Sequence, residues 1–302
     1  MTEKIYGGQA VPEGVMFQSN RHMATAIRRT NGQIDYFDMP RPVNKVAMKL
    51  KKIPFIRGIV AIFESVVYGM KPMDFAADRY DRDPQDDHKI EKENQNTNSV
   101  KVALTAAIFA ILTFMLGKFV LTLVPVFIAE IFTGIVPGKF GQVLIETLIK
   151  LIILLAYIYF LSLTPMVKRL FQYHGAEHKV INCYENNLPL TVENVQKQSR
   201  LHYRCGSSFI LFTVLVGFVL YMFVPLEPFH VRIINRIILI PVVLGLAFEV
   251  LQFTNKLRNI PVLKYLGQPG LWLQYLTTKE PQDDQVDVAI HSFNHLLRSE
   301  KE

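Results

Sequence analysis

Long apolar runs are confined to one part of the chain. Residues 1–99 and 255–302 mix polar and apolar positions freely, whereas 100–254 holds nearly all the extended hydrophobic stretches. Four of these, roughly 100–124, 142–164, 207–226 and 233–254, reach or approach the ~20 residues an α-helix needs to cross about 30 Å of hydrocarbon. The first stays apolar through Pro125 to Ile135, so it is expected to be long, tilted or broken at Pro125. Any one run could be a buried core helix. Four in close succession predict a bilayer.

The flanking segments have other periods. Met23 to Arg29 and Gln33 to Phe37 flank Asn31-Gly32, a dipeptide that tolerates positive φ at both centres of a type I′ turn, and so predict a β-hairpin. Before it, Gly7, Gly8 and Gly14 lie close together, a density that suggests close backbone approach to a ligand or another chain segment. Residues 54–72 are apolar but short, bounded by Pro54 and Pro72 and carrying Arg57 and Glu64; they read as an amphipathic or surface-lying helix. Residues 78–99 are charged and amide-rich, a hydrated linker or solvated helix. Beyond the last span, Gly267-Gln268-Pro269-Gly270 breaks the chain before Leu271 to Leu276, with Trp272 expected at the interface. Asp283-Asp284 then caps a helix with Val286, Ile290, Phe293 and Leu297 on one face.

The expected fold is thus mainly α: a polytopic membrane protein with about four transmembrane helices, a small N-terminal antiparallel β unit and cytoplasmic amphipathic helices. Its divisions are a β-rich unit over 1–53, an amphipathic helix and charged linker over 54–99, a membrane bundle over 100–254 with a cytoplasmic loop at 165–206, and cytoplasmic helices over 255–302.

Charge orients the bundle. Residues 1–20 lack a positive head followed by an apolar stretch, so the amino terminus is expected in the cytoplasm. Lys168, Arg169, Lys179, Lys197, Arg200 and Arg204 crowd the loop between spans two and three, and Lys256, Arg258 and Lys264 follow span four. The positive-inside rule therefore places both termini and the central loop inside. Arg232 and Arg236 run against that trend, while Glu130 and Glu146 read as solvated residues flanking the outer turn. A formal net charge of +7 suits contact with an anionic inner leaflet. The basic residues gather at membrane boundaries and form no nucleic-acid module. Two cysteines, Cys183 and Cys205, fall in the cytoplasmic loop, where a disulfide is not expected and metal ligation is open to either.

One motif carries chemistry. His174-Gly175-Ala176-Glu177-His178 places two imidazoles on one helical face, where both can grip one zinc ion, with Glu177 able to take a proton from water on the metal. A pair of interfacial histidines is the plainer alternative. Two further ligands come from the same loop: His202 and Cys205, three apart, would close a four-ligand shell of structural type. Glu249, deep in span four, could instead complete a catalytic site that keeps a place for water, or pair with Arg57 or Arg204.

These blocks, with Gly7-Gly8-Gln9-Ala10-Val11, Glu13-Gly14-Val15-Met16, Arg204-Cys205-Gly206 and Pro269 to Gln274, resemble the YqhQ-type bacterial membrane proteins, a family labelled as predicted metal-dependent enzymes. The resemblance runs through nearly the whole chain and departs at Pro12, where a hydrophobic residue is usual. It implies a bacterial cytoplasmic-membrane protein, with Gln9, Glu13, His174, Glu177, His178, His202, Arg204, Cys205 and Glu249 at the matching positions. Two functions follow as expectations. One is a zinc-dependent hydrolase at the cytoplasmic face, acting on a lipid-linked or membrane-peptide substrate. The other is a non-catalytic factor that binds a membrane-protein partner in biogenesis or secretion, its polar cluster structural. Neither substrate nor oligomeric state can be read from the residues.

Overall fold

The computed structural model describes residues 6–41, 45–88, 100–258 and 260–301. Residues 89–99, half of the expected linker, lie outside the described residues. Strands β1 (Gly7–Val11), β2 (Gly14–Gln18), β3 (His22–Arg28) and β4 (Ile34–Pro40) form an antiparallel meander in chain order. The Asn31-Gly32 hairpin is present with a different turn. Gly32 alone takes positive φ (85°), and its N–H donates to the Arg29 carbonyl at 2.9 Å. Thr30 and Asn31 are then the central turn residues, and glycine occupies the left-handed position that follows.

Strand alternation sends successive side chains to opposite faces, and both faces are covered by helices. On one face, Val15, Phe17, Ala24 and Ala26 pack against Tyr173, Ala176 and Val180 of α5 (Pro165–Glu185) and against Val286, Ala289 and Phe293 of α11 (Asp283–Ser299). On the other, Val11, Met16, Met23 and Ile27 meet Ala76 of α2 (Ile56–Arg79). The short α1 (Lys45–Leu50) precedes α2 and buries no residue. Glu64 of α2 pairs with Arg41 at 3.1 Å and with Lys51.

The bundle comprises α3 (Val100–Ile131), α4 (Lys139–Ser162), α7 (Gly206–Tyr221), α8 (Phe229–Ile238) and α9 (Ile240–Lys256). α6 (Val192–Gln196) and α10 (Gln268–Thr277) complete the described helices with 3₁₀ turns at Pro84–Asp86 and Leu263–Gly267. α3 continues unbroken through Pro125 for 32 residues. The expected fourth span is bent by 50° between α8 and α9. Pro241 explains the break, because it lacks an N–H and its ring clashes with the preceding turn. The third stops at Tyr221, short of the expected 226, ahead of Pro225 and Pro228. Among the described residues, α4 alone is long and apolar enough to cross a membrane, and the α8–α9 pair would make a second if counted as one bent span.

Glu146 is not solvated, contrary to expectation, whereas Glu130 stays partly exposed. Glu146 is buried and receives Arg236 at 2.7 and 3.0 Å and Arg232 at 3.2 Å; Arg232 also reaches Glu130 at 2.9 Å. Arg236 stacks 3.8 Å over the Tyr221 ring. The two arginines that break the positive-inside pattern are thus neutralised by carboxylates within the bundle.

Candidate metal centre

α5 presents His174 and His178 four residues apart on one face, their ring centroids 4.5 Å apart. Each ring is fixed through Nδ1: His174 faces the Thr277 carbonyl at 2.9 Å, and His178 the Arg200 carbonyl at 2.6 Å. A ring nitrogen facing a carbonyl oxygen donates to it, so in each neutral imidazole the lone pair sits on Nε2. This is the orienting contact that metal-binding histidines ordinarily make.

Close backbone contact sets up the first of these bonds. A Cβ at Gly175 would lie 2.1 Å from the Lys279 carbonyl oxygen, so only glycine lets α5 abut the segment after α10. Lys279 N–H also donates to the Phe171 carbonyl at 2.9 Å, holding that segment in place.

Cys205 supplies the third donor. It caps α7, its Sγ accepting from Ser207 N–H at 3.4 Å, and lies 3.3 Å from His174 Nε2. Gln274 of α10 holds the preceding loop by accepting from His202 N–H and donating to the His202 carbonyl, each at 2.8 Å. The ligand atoms of His174, His178 and Cys205 all lie within 4.8 Å of one another. Two imidazole nitrogens and a thiol suit zinc, and three protein ligands leave a fourth tetrahedral position.

Glu177 lies beside them, one carboxylate oxygen 3.8 Å from His174 Nε2 and 3.9 Å from His178 Nε2. The glycine-rich strand explains how so buried a carboxylate is accommodated. A Cβ at Gly8 would come within 2.7 Å of Glu177 Cγ and 2.8 Å of its Oε1, so β1 approaches the site through bare backbone.

The centre is electrostatically coupled. Burial alone would raise the Cys205 thiol, but the His174 and His178 imidazoles hold it well below the ordinary thiol range. Burial would lower His174, yet the facing thiolate and Glu177 push it up to about 9. Burial raises the Glu177 carboxyl, and the imidazoles oppose that rise.

A cavity of about 440 Å³ adjoins His174, His178, Cys205 and Glu177. His202 and Arg204 line it too, without joining the cluster. The His202 ring lies 5.7 Å from that of His178, and its Nε2 is 3.7 Å from Glu185. Arg204 pairs with Glu185, which Arg258 also reaches at 3.3 Å. No sequence motif singles out Glu185, although its spacing of seven from His178 puts it on the same helical face.

Three expected site residues lie elsewhere. Glu249 faces α2, accepting from Arg57 Nε at 2.7 Å and Phe55 N–H at 3.0 Å, so the ion pair with Arg57 is the alternative that holds and the carboxylate does not reach the imidazoles. Glu13 sits in the β1–β2 turn with φ 53° and binds Arg169 of α5 bidentately, with Tyr173 donating to it at 3.2 Å; it fastens the sheet to α5. Gln9 packs on α2, where a Cβ at Gly69 would lie 2.5 Å from its Oε1.

No solved structure matches the chain. It is 60% identical over 295 residues to a protein of Bacillus subtilis (strain 168) named "Uncharacterized protein YqhQ", an alignment covering 98% of this chain and 93% of that one. The family model described as "Protein of unknown function (DUF1385)" matches residues 53–299. Its extent, together with the similarity to YqhQ, establishes that the chain belongs to the DUF1385 family.

Proposed function

We propose that this protein is a zinc-dependent hydrolase embedded in the bacterial cytoplasmic membrane, with its metal centre at the cytoplasmic face. The observation that carries the reading is the convergence of His174 Nε2, His178 Nε2 and Cys205 Sγ beside Glu177, with both imidazoles oriented by carbonyl oxygens. Zinc bound there would supply Lewis acidity, lowering the pKa of a coordinated water and polarising a substrate carbonyl. Glu177 takes a proton from the attacking water and returns it to the leaving group as the scissile bond breaks. His174 and His178 hold their positions through the Thr277 and Arg200 carbonyls. The substrate is lipid-linked or a membrane peptide.

Four spans with both termini inside accompany this reading. In its support, only 28% of the most apolar part of α4 is buried, far less than for the core helix of a soluble protein. α3 likewise leaves Phe109, Leu112, Leu116, Val120 and Phe127 exposed. Such a surface suits lipid.

The test is metal analysis with matched variants. Purified protein should carry about one zinc, His174→Ala and Cys205→Ser should lose most of it, and Glu177→Gln should keep it while losing the cellular role. Less than about a tenth of a zinc per chain, with no uptake on titration, rejects the enzyme. Normal cellular function of a folded Glu177→Gln variant favours the non-catalytic partner-binding role.

A further inference from the structure

We propose that the cavity beside the metal centre takes a single-chain acyl amphiphile: an ester or amide head at the cytoplasmic boundary and a linear apolar tail running toward the hydrocarbon. This deepens the hydrolase reading and rests on it.

The cavity has two chemically different ends. The polar end is formed by the three ligands and Glu177, with His202 and Arg204 beside them. Arg204 Nε is buried and, among the described residues, has no hydrogen-bond partner, whereas His202 Nε2 faces the Glu185 carboxylate at 3.7 Å. The Arg204 nitrogen can donate to an oxygen of a bound head group, and leaving such an atom unsatisfied is costly. The other end is walled by Ile62 of α2, Phe209 of α7, and Phe248 and Leu251 of α9, with Ser65 and Gln252 also lining the cavity.

These ends are ordered along the helix axes. Cys205 caps the first turn of α7, and Phe209 follows within one turn. Phe248 lies eight residues before Lys256, the last residue of α9, about 12 Å along the helix at 1.5 Å per residue. α2 accompanies α9 to that level, with Gly58 so close to Phe248 that a Cβ would lie 2.5 Å from it. Passing from Cys205 to Phe248, the lining therefore changes from charged to aromatic in the order in which a leaflet changes from head group to tail. A peptide would need polar partners along its length for its backbone groups, and on this wall α2 and α9 contribute only Ser65 and Gln252. A linear hydrocarbon needs none.

Cobalt(II)-loaded full-length protein in lipid nanodiscs reports head binding through its visible spectrum. Straight-chain hydroxamates of two, four, six and eight carbons serve as probes, with free concentrations fixed by equilibrium dialysis. Affinity should rise about fourfold per added methylene, as expected for burial of each CH₂. Phe248→Ser and, independently, Ile62→Ser should flatten that slope while leaving the cobalt spectrum of the ligand-free protein unchanged. A flat slope in the wild type with cobalt bound overturns the tail site and leaves the metal centre standing. Tighter binding of a dileucyl hydroxamate than of octanohydroxamate overturns it in favour of a peptide. Absence of a cobalt spectrum removes the metal reading and this inference together.

Discussion

Individual side chains at the centre are poised by their neighbours, and this gives pH dependence a sign. In the metal-free protein His174 is pushed up to about 9 by the Cys205 thiolate, after burial has worked the other way. A cation must displace that proton, so zinc affinity should rise about tenfold per pH unit between 6 and 9. Competition titration with a chromophoric chelator measures it; a flat profile would mean that no proton leaves. Glu185 is a second case. Burial alone would raise it, but His202 and Arg204 hold it down to about 2, against an ordinary 4.5. The folded state thus keeps it ionised while the unfolded chain binds a proton, so its contribution is complete above about pH 4.5 and fades as pH falls toward 2. Denaturant titrations across that window should show a loss of stability that Glu185→Gln lacks. Gly8→Ala places a methyl against the flexible end of Glu177. The carboxylate can swing aside, so stability should fall by no more than about 1–3 kcal/mol and zinc should stay, while turnover drops. The His-x-x-Glu-His set was legible because four-residue spacing fixes a shared face. Glycine density hinted at Gly8's close approach. The Thr277 and Arg200 carbonyls left no trace, since any residue brings a carbonyl.

Among elements, the contact between α2 and α9 shows where sequence spacing loses force. A carboxylate deep in an apolar run, as Glu249 is, demands a partner, and the sequence offers it two imidazoles or an arginine, Arg57 or Arg204. Which partner it takes depends on how α2 crosses α9, and nothing local encodes that crossing. The structure gives it Arg57. Arg57→Ala should lower Tm, leaving a carboxylate without its guanidinium at a cost of about 1–3 kcal/mol, whereas replacing both residues by Met should recover most of the loss. Equal destabilisation by the single and double variants would show that the unpaired carboxylate carries none of the loss. Glu146 is a related case. Its place near a turn predicts solvation, yet the bend after α8 brings Arg232 and Arg236 onto it. The breakpoint itself was visible in Pro241, though its consequence for the arginines was not.

Over the whole molecule, the centre ties together parts that are far apart in the chain. His174 and His178 come from α5 and Cys205 from the cap of α7, the carbonyls that orient the imidazoles from the loop before α7 and the end of α10, and Gly8 brings the sheet against Glu177. A cation there should therefore stabilise the fold as one body, with Tm rising on zinc addition according to its concentration relative to Kd. The central claim is that His174, His178 and Cys205 hold one ion. X-ray absorption at the zinc edge of the purified protein tests it most directly. The account predicts one sulfur at about 2.3 Å with nitrogen and oxygen neighbours at about 2.0–2.1 Å, the sulfur vanishing in Cys205→Ser. A shell without sulfur in the wild type, or no bound zinc, would contradict it.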